Sequence, residues 1–382
     1  MTTALKAIGT LAAVLGIASC GTAAPSQGNL SPSGSATPGA ISAAALPSDV
    51  SCQATFAPSP LLGLVGRSAG SGSPSAIVYD VYDLREGMPP RLLCSLSGAS
   101  RAHFLSATEI AYARTIGGPS ASTSSLIRLD LVTHHIQTVA SGRQSIGEFS
   151  WSSDKSVVAY GWRDQVFIRH GNSAPIAVAV PQMTHLGVDF AGYNYQEALR
   201  VSSDGRYLAV VETAFGRLQV FDTATGAMIW GAPPGTVLDI RTMAIWSHAG
   251  HRLYWRDNAG VHGWDPPTAV TTRVPGLIWY DPSLSPDGGT VAYTVRDAQT
   301  FVPHVELLDL QTGSRQVLSR PLRASPVFAT SSTIWYSGET LTPNQLPPSS
   351  PTGQLFSYNL ATHQETRLSL SAEAGFELQA GA

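Results

Sequence analysis

The chain has 382 residues, a formal net charge of −3 and only 13% charged residues. No basic patch stands out, which argues against a nucleic-acid partner. Past the N-terminal segment, about 330 residues remain, more than one hydrophobic core usually covers, and no Pro/Gly-rich break divides them, so a repeat architecture is favoured over two domains.

Residues 1–19 read as an address. Lys6 is followed by an apolar run, Ala7 to Ala18, shorter than the roughly 20 residues that span a bilayer. The run ends in Ile17-Ala18-Ser19-Cys20-Gly21. This resembles the lipobox of bacterial lipoproteins, and the resemblance implies cleavage after Ser19 and lipidation of Cys20. The alternative is an ordinary secretory signal with a chance cysteine. Residues 20–51 are rich in Ser, Ala, Gly and Pro, with Asp49 as the single charge. Such a segment cannot bury enough apolar surface to offset ordering entropy, and reads as a flexible tether that lifts a domain (52–382) off a membrane. Cys52 and Cys94 are an even pair in an exported chain, which predicts one disulfide tying the start of the domain to the outer part of its first repeat.

Two patterns then alternate. The first is a strand, a tight polar turn and a second strand, over 148–162, 199–211, 244–255 and 282–295. The turns read Ser152-Ser153-Asp154-Lys155, Ser202-Ser203-Asp204-Gly205, Ser247-His248-Ala249-Gly250 and Ser285-Pro286-Asp287-Gly288. The second is another hairpin, with strand-like runs at 126–131, 218–222 and 305–310 and turns at Thr133-His134-His135, Thr225-Gly226 and Thr312-Gly313. Runs at 78–84 and 355–360 look like its outermost copies. Alternating apolar and polar residues with Asp, Thr and Gly at the turns are hairpin signals. Almost no segment has a 3.6-residue apolar period, so helices are expected to be nearly absent.

Pairing the two hairpins gives four-stranded units of propeller-blade length. Seven are expected, at about 53–97, 100–141, 147–180, 197–231, 241–275, 280–319 and 324–369. The expected fold is therefore all-β, a single propeller. Its first unit has the poorest inner strand, and the tail Phe376-Glu377-Leu378-Gln379 is expected to supply it and close the ring, removing exposed edges. The turns and the strands after them resemble the TolB-like propeller repeat, whose hallmark is a Ser-Pro-Asp-Gly turn before a strand. Ser285 to Tyr293 and Ser202 to Val210 carry the resemblance; Ser152 to Tyr160 and Ser247 to Tyr254 follow it loosely. The same repeats occur in the propellers of prolyl-oligopeptidase-like peptidases, whose fused hydrolase domain is not expected here. The resemblance implies a fold and a binding surface and no particular activity.

Gly66-Arg67-Ser68-Ala69-Gly70 matches the nucleophile elbow of serine hydrolases in letters only, because Ser71-Gly72-Ser73-Pro74 cannot open the helix that elbow requires. The ten histidines are scattered, no zinc or calcium spacing appears, and no metal or cofactor is expected. The tryptophans in strands, Trp151, Trp162, Trp230, Trp246, Trp255 and Trp335, read as packing between blades.

Loop lengths separate the two faces of the expected propeller. Turns between first and second, and third and fourth, strands are tight. The other connections hold the long segments: 68–75, 115–124, 181–196, 276–281, 297–303 and 338–353. This long-loop face is the expected working face. Its candidate ligand-binding residues are His185, Asp189, Tyr193, Tyr195, Trp279, Tyr280 and Phe301, with the aromatics clustered and partly exposed at the channel mouth; equally, they plug it. The expected function is a lipid-anchored, extracytoplasmic module that binds a protein, peptide or glycan without catalysis. The alternatives are an envelope lyase or hydrolase with its site in the central channel, and a structural part of an envelope complex.

Overall fold

The computed structural model describes residues 49–53, 62–68, 77–84, 88–116, 123–142, 146–162, 165–180, 197–212, 217–232, 244–248, 252–266, 271–341, 349–368, 370 and 378–380. Among them no helix occurs, and the strands form seven antiparallel sheets.

Blade 1 is built from both ends of the domain. Its strands are β1 (Val50–Cys52), β2 (Leu62–Ser68), β3 (Ile77–Asp83) and β4 (Arg91–Ser97). Blade 2 comprises β5 (Ala99–Ser106), β6 (Glu109–Ile116), β7 (Thr123–Asp130) and β8 (Ile136–Gly142). Blade 3 comprises β9 (Ile146–Trp151), β10 (Val157–Trp162), β11 (Gln165–His170) and β12 (Ile176–Val178). In blade 4 the strands are β13 (Glu197–Val201), β14 (Tyr207–Glu212), β15 (Arg217–Asp222) and β16 (Met228–Gly231). Blade 5 follows with β17 (Ile245–Trp246), β18 (Leu253–Asp257), β19 (Gly260–Trp264) and β20 (Thr271–Pro275). Blade 6 holds β21 (Tyr280–Leu284), β22 (Thr290–Arg296), β23 (Pro303–Asp309) and β24 (Arg315–Val317). Blade 7 ends the series with β25 (Arg323–Phe328), β26 (Thr333–Leu341), β27 (Ser349–Asn359) and β28 (Gln364–Leu368). A last strand, β29 (Leu378–Ala380), returns to blade 1, where it pairs with β2 and supplies the inner strand. The C-terminal tail thus closes the ring, as its sequence predicts.

The core sits between blades. Along β14, Leu208 and Val210 join an apolar cluster with blade 3, while Tyr207, Ala209 and Val211 join one with blade 5. A period of two buries both faces, because neighbouring blades cover each side of the sheet. The same holds around the ring, up to the cluster in which Ala329, Trp335 and Leu355 of blade 7 meet Val65 of blade 1 and Leu84 beyond β3. Among the tryptophans buried in these layers are Trp246, Trp255, Trp264 and Trp335, and Trp230 packs against Trp255 and Trp264 with ring centres 5.2 and 4.7 Å away.

The recurrent turn explains its own composition. Ser202 is buried; its hydroxyl donates to Asp204 Oδ1 (2.7 Å) and accepts from the Tyr207 N–H (2.9 Å). Ser285 does the same with Asp287 (2.5 Å) and Thr290 (2.9 Å), and Ser152 with Asp154 (2.6 Å) and Val157 (3.0 Å). The fourth position takes the left-handed conformation: Gly205 at φ 74° and Gly288 at φ 75°. At Gly205 a Cβ would also lie 2.7 Å from the Val157 side chain of the previous blade. The turns stitch blades together as well: Ser153 N–H donates to the Ser203 carbonyl (3.0 Å), and the Ser203 hydroxyl to the Ser247 carbonyl (3.1 Å).

β1 adds a fifth, outermost strand to blade 1 by pairing with β4. Cys52 stands directly opposite Cys94, with Cα atoms 4.0 Å apart, and the two form the expected disulfide.

Candidate functional site

Antiparallel order fixes which connections share a face. The turns β9–β10 and β11–β12 leave on one side of blade 3; β10–β11 and the passage from β12 to β13 leave on the other. The longest passages fall on this second side: 179–196 between β12 and β13, and 232–244 between β16 and β17. The latter escaped the sequence reading. That side also has tight connections, such as 258–259 between β18 and β19, so the contrast between the faces is in their longest members.

One turn on the long-loop face differs from its relatives. Five turns share a plan in which an Asp or Asn side chain caps the next backbone N–H groups and the fifth residue is left-handed. Asp222 leads to Gly226 (φ 70°), Asp309 to Gly313 (φ 73°), Asp130 to His134 (φ 58°) and Asn359 to His363 (φ 56°), all between third and fourth strands. The fifth, between β22 and β23 on the opposite face, runs from Asp297 to Phe301 (φ 57°). Asp297 Oδ1 accepts from the N–H groups of Gln299 (3.0 Å) and Thr300 (2.7 Å), and the Phe301 N–H donates to the Asp297 carbonyl (2.8 Å). The Thr300 N–H and hydroxyl, with the Gln299 N–H, hold the Asp297 carboxyl below the usual range. A bulky aromatic at positive φ is an outlier, and the residue is 49% exposed. The backbone is held in an unfavourable conformation while a phenyl ring faces water. Ile278, just before β21 on the same face, is also exposed.

Beneath these groups lies a polar network joining blades 5, 6 and 7. Asp281 (φ 48°) and Ser325 (φ 52°) sit at register shifts in the inner strands β21 and β25. The Ser325 hydroxyl donates to Asp281 Oδ2 (3.0 Å), and its N–H donates to Thr294 Oγ1 (2.9 Å). Arg296 and Glu339 form a two-pronged ion pair of 3.1 and 2.8 Å across the blade 6–7 boundary. Arg256, buried, donates from Nε to the Trp279 carbonyl (3.1 Å) and lies 4.9 Å from the Tyr280 ring centre. Bulges and left-handed residues are over-represented next to functional sites. The terminal nitrogens of Arg296 are paired with the Glu339 carboxylate and Arg256 Nε with the Trp279 carbonyl, so charged and polar bonds cross both blade boundaries.

The seven candidates divide sharply. His185, Asp189, Tyr193 and Tyr195 lie outside the described residues, as does Cys20. Trp279 is fully buried in the blade 5–6 core, its ring centre 6.3 Å from that of Tyr293, which corrects the expectation of a partly exposed aromatic. The cause is local: Leu277 and Trp279 turn inward to cover Tyr293 and Leu308, while Ile278 between them turns out. Tyr280 is half-buried and stacked under Arg256. Phe301 alone is an exposed aromatic among the described candidates. The sequence does contain its signal, since Asp297-Ala298-Gln299-Thr300-Phe301 parallels Asp309-Leu310-Gln311-Thr312-Gly313. Ser68 of the hydrolase-like pentapeptide lies in the β2 ladder opposite Ile77. Among the described residues no three His, Cys, Asp or Glu side chains converge on a metal position.

No family model matches the chain, and no curated protein matches it. Solved structures do. A dihydro-heme d1 dehydrogenase in complex with DHE is 12% identical over 88% of this chain and 81% of its own, with TM-score 0.51. A functionally unknown protein from Desulfotomaculum acetoxidans is 9% identical over 84% and 99%, also at 0.51. TolB from Acinetobacter baumannii is 17% identical over 83% and 82%, at 0.45. Likeness at this level concerns the fold alone.

Proposed function

We propose that this protein is a lipid-anchored, extracytoplasmic propeller that binds a protein, peptide or glycan through its long-loop face, without catalysis. The observation that carries the reading is Phe301: an exposed aromatic held where two like turns place glycine, on the face that also has the longest connections. Glycine takes this conformation at least cost, and of the five like turns only this one presents a bulky apolar ring there, which suits a contact with a partner. The polar network of blades 5 to 7 supports the same reading, because it stiffens the platform under the exposed groups and lowers the entropy lost on binding. Location rests on the apolar leader, the lipobox-like Ile17 to Gly21 segment and the disulfide, which suits an oxidising compartment.

The test is affinity purification of the tethered protein from its own membrane, with and without residues 181–196. A partner enriched by the complete protein and lost with the loop supports the reading. A partner retained equally by both contradicts the choice of face. Mass spectrometry of membrane-bound protein should find two or more acyl chains on Cys20, since one chain anchors only marginally; an unmodified Cys20 refutes the anchor.

A further inference from the structure

On the opposite, tight-turn face, a recess of about 70 Å³ opens between blades 2 and 3. Gln137, Val139, Trp151 and Val158 wall it, and its charged lining is Arg128, Lys155 and Arg169. One carboxylate pairs with two of these cations, Arg128 and Lys155. Glu109 accepts from Arg128 Nε (2.7 Å) on one oxygen and from Lys155 Nζ (2.6 Å) on the other. Burial works to raise the Glu109 carboxyl, but the bonds and charges of Arg128 and Lys155 outweigh it and hold the group below its usual range. Asp154, on the same turn, spends Oδ1 on Ser152 and Ser156 and does not line the recess. The recess therefore keeps an excess of positive charge.

Two details mark it as built. Arg169 donates through one terminal nitrogen to the Val139 carbonyl, yet its buried Nε–H meets no acceptor among the described residues. A buried, unpaired guanidinium donor is costly unless something else supplies the acceptor. Lys155 stands at φ 62° in the fourth position of the recurrent turn, where blades 4 and 6 have Gly205 and Gly288. The chain accepts a left-handed lysine at the one turn where an ammonium reaches this recess.

We propose that the recess binds a compact oxyanion, specifically a phosphate group. A water needs roughly 10–15 Å³ of such space, so the volume suits a few waters or one tetrahedral anion. Guanidinium and ammonium donors around an apolar base match three oxygens and a concentrated negative charge. The same chemistry is offered by free phosphate and by a lipid phosphomonoester, and Cys20-linked acyl chains would keep the protein near the latter.

The experiment titrates the full chain with inorganic phosphate by calorimetry. In parallel it measures retention on vesicles of phosphatidylcholine with and without phosphatidic acid. Two variants are compared, Lys155→Gly and Arg169→Gln. Lys155→Gly gives the turn the glycine of its siblings, which offsets the lost ion pair with Glu109 and should keep the melting temperature close to the parent's, so that, measured beside binding, it separates lost binding from unfolding. Each variant should weaken phosphate binding by about tenfold or more. Saturable phosphate binding lost in both variants supports the site with free phosphate as its source. Variant-sensitive retention that requires phosphatidic acid, without phosphate binding, supports it with a lipid source. No binding in either arm, or binding that both variants leave intact, overturns it.

Discussion

Phe301 stands at φ 57° where Gly313, the fifth residue of the like turn in the same blade, stands at φ 73°. Each donates its N–H to the carbonyl of its capping aspartate, at 2.8 and 2.9 Å. The two turns differ in the face they occupy and in the side chain they present. Phe301→Gly should therefore leave stability unchanged or raise it by up to about 1 kcal/mol, since an L-residue pays for the left-handed region and glycine does not. Urea unfolding checks this; a clear loss of stability would show that the ring packs into the fold.

The serine of the recurrent turn should matter more than its aspartate. Ser202→Ala leaves the Tyr207 N–H without its acceptor in a buried place and should cost about 2 kcal/mol. Asp204→Ala removes a solvent-facing partner and should cost about 1 kcal/mol. Reversal of that order in denaturant unfolding contradicts the assignment.

Acid should loosen these turns. The Ser152 hydroxyl and Ser156 hold the Asp154 carboxyl low, and the Ser285 hydroxyl and the Gly289 N–H do so for Asp287, each below an ordinary 3.8. A depressed folded value means that the stabilisation is complete above about pH 4 and is lost as pH falls through the folded value. Melting temperature should fall below pH 4, and the fall should be shallower in an Asp154→Asn, Asp287→Asn double variant. Equal slopes would place the acid sensitivity elsewhere.

The blade count and ring closure were legible in the sequence because the turn residues recur at blade spacing and the strands alternate with period two. The tail at Leu378 was legible because the first unit lacked an inner strand. The inward turn of Trp279 was not, because a lone aromatic in a connection carries no period to show which way it faces. The Arg256, Asp281, Ser325, Arg296 and Glu339 network was equally hidden, since its members come from three blades and meet only when the ring forms. The left-handed role of Phe301 was written in the letters Asp297 to Phe301, but needed the φ of Gly313 beside it to be noticed.

The disulfide holds β1 on the outer edge of blade 1. Its 42-residue separation gives about 4 kcal/mol in the chain-entropy model. Reduction, or Cys52→Ser with Cys94→Ser, should lower the melting temperature by several degrees while far-ultraviolet circular dichroism keeps its β signature. An unchanged melting temperature would mean that β1 adds nothing to the domain.

Removal of residues 378–382 should expose the inner edge of β2, which pairs with β29. An unpaired edge invites association, so the truncated protein should melt lower and sediment as larger species. A monomer of parental stability would show that the ring does not need its closing strand.

Binding through the long-loop face is tested most directly by partner capture with Phe301→Gly protein, measured beside its melting temperature. A partner retained by the parent chain should be lost or strongly reduced, at an unchanged or higher melting temperature, while Asp287→Ala should lower the melting temperature and keep the partner. A parent chain that retains nothing from its envelope, or a Phe301→Gly chain that retains the partner at the parental level, would contradict the assignment of this face.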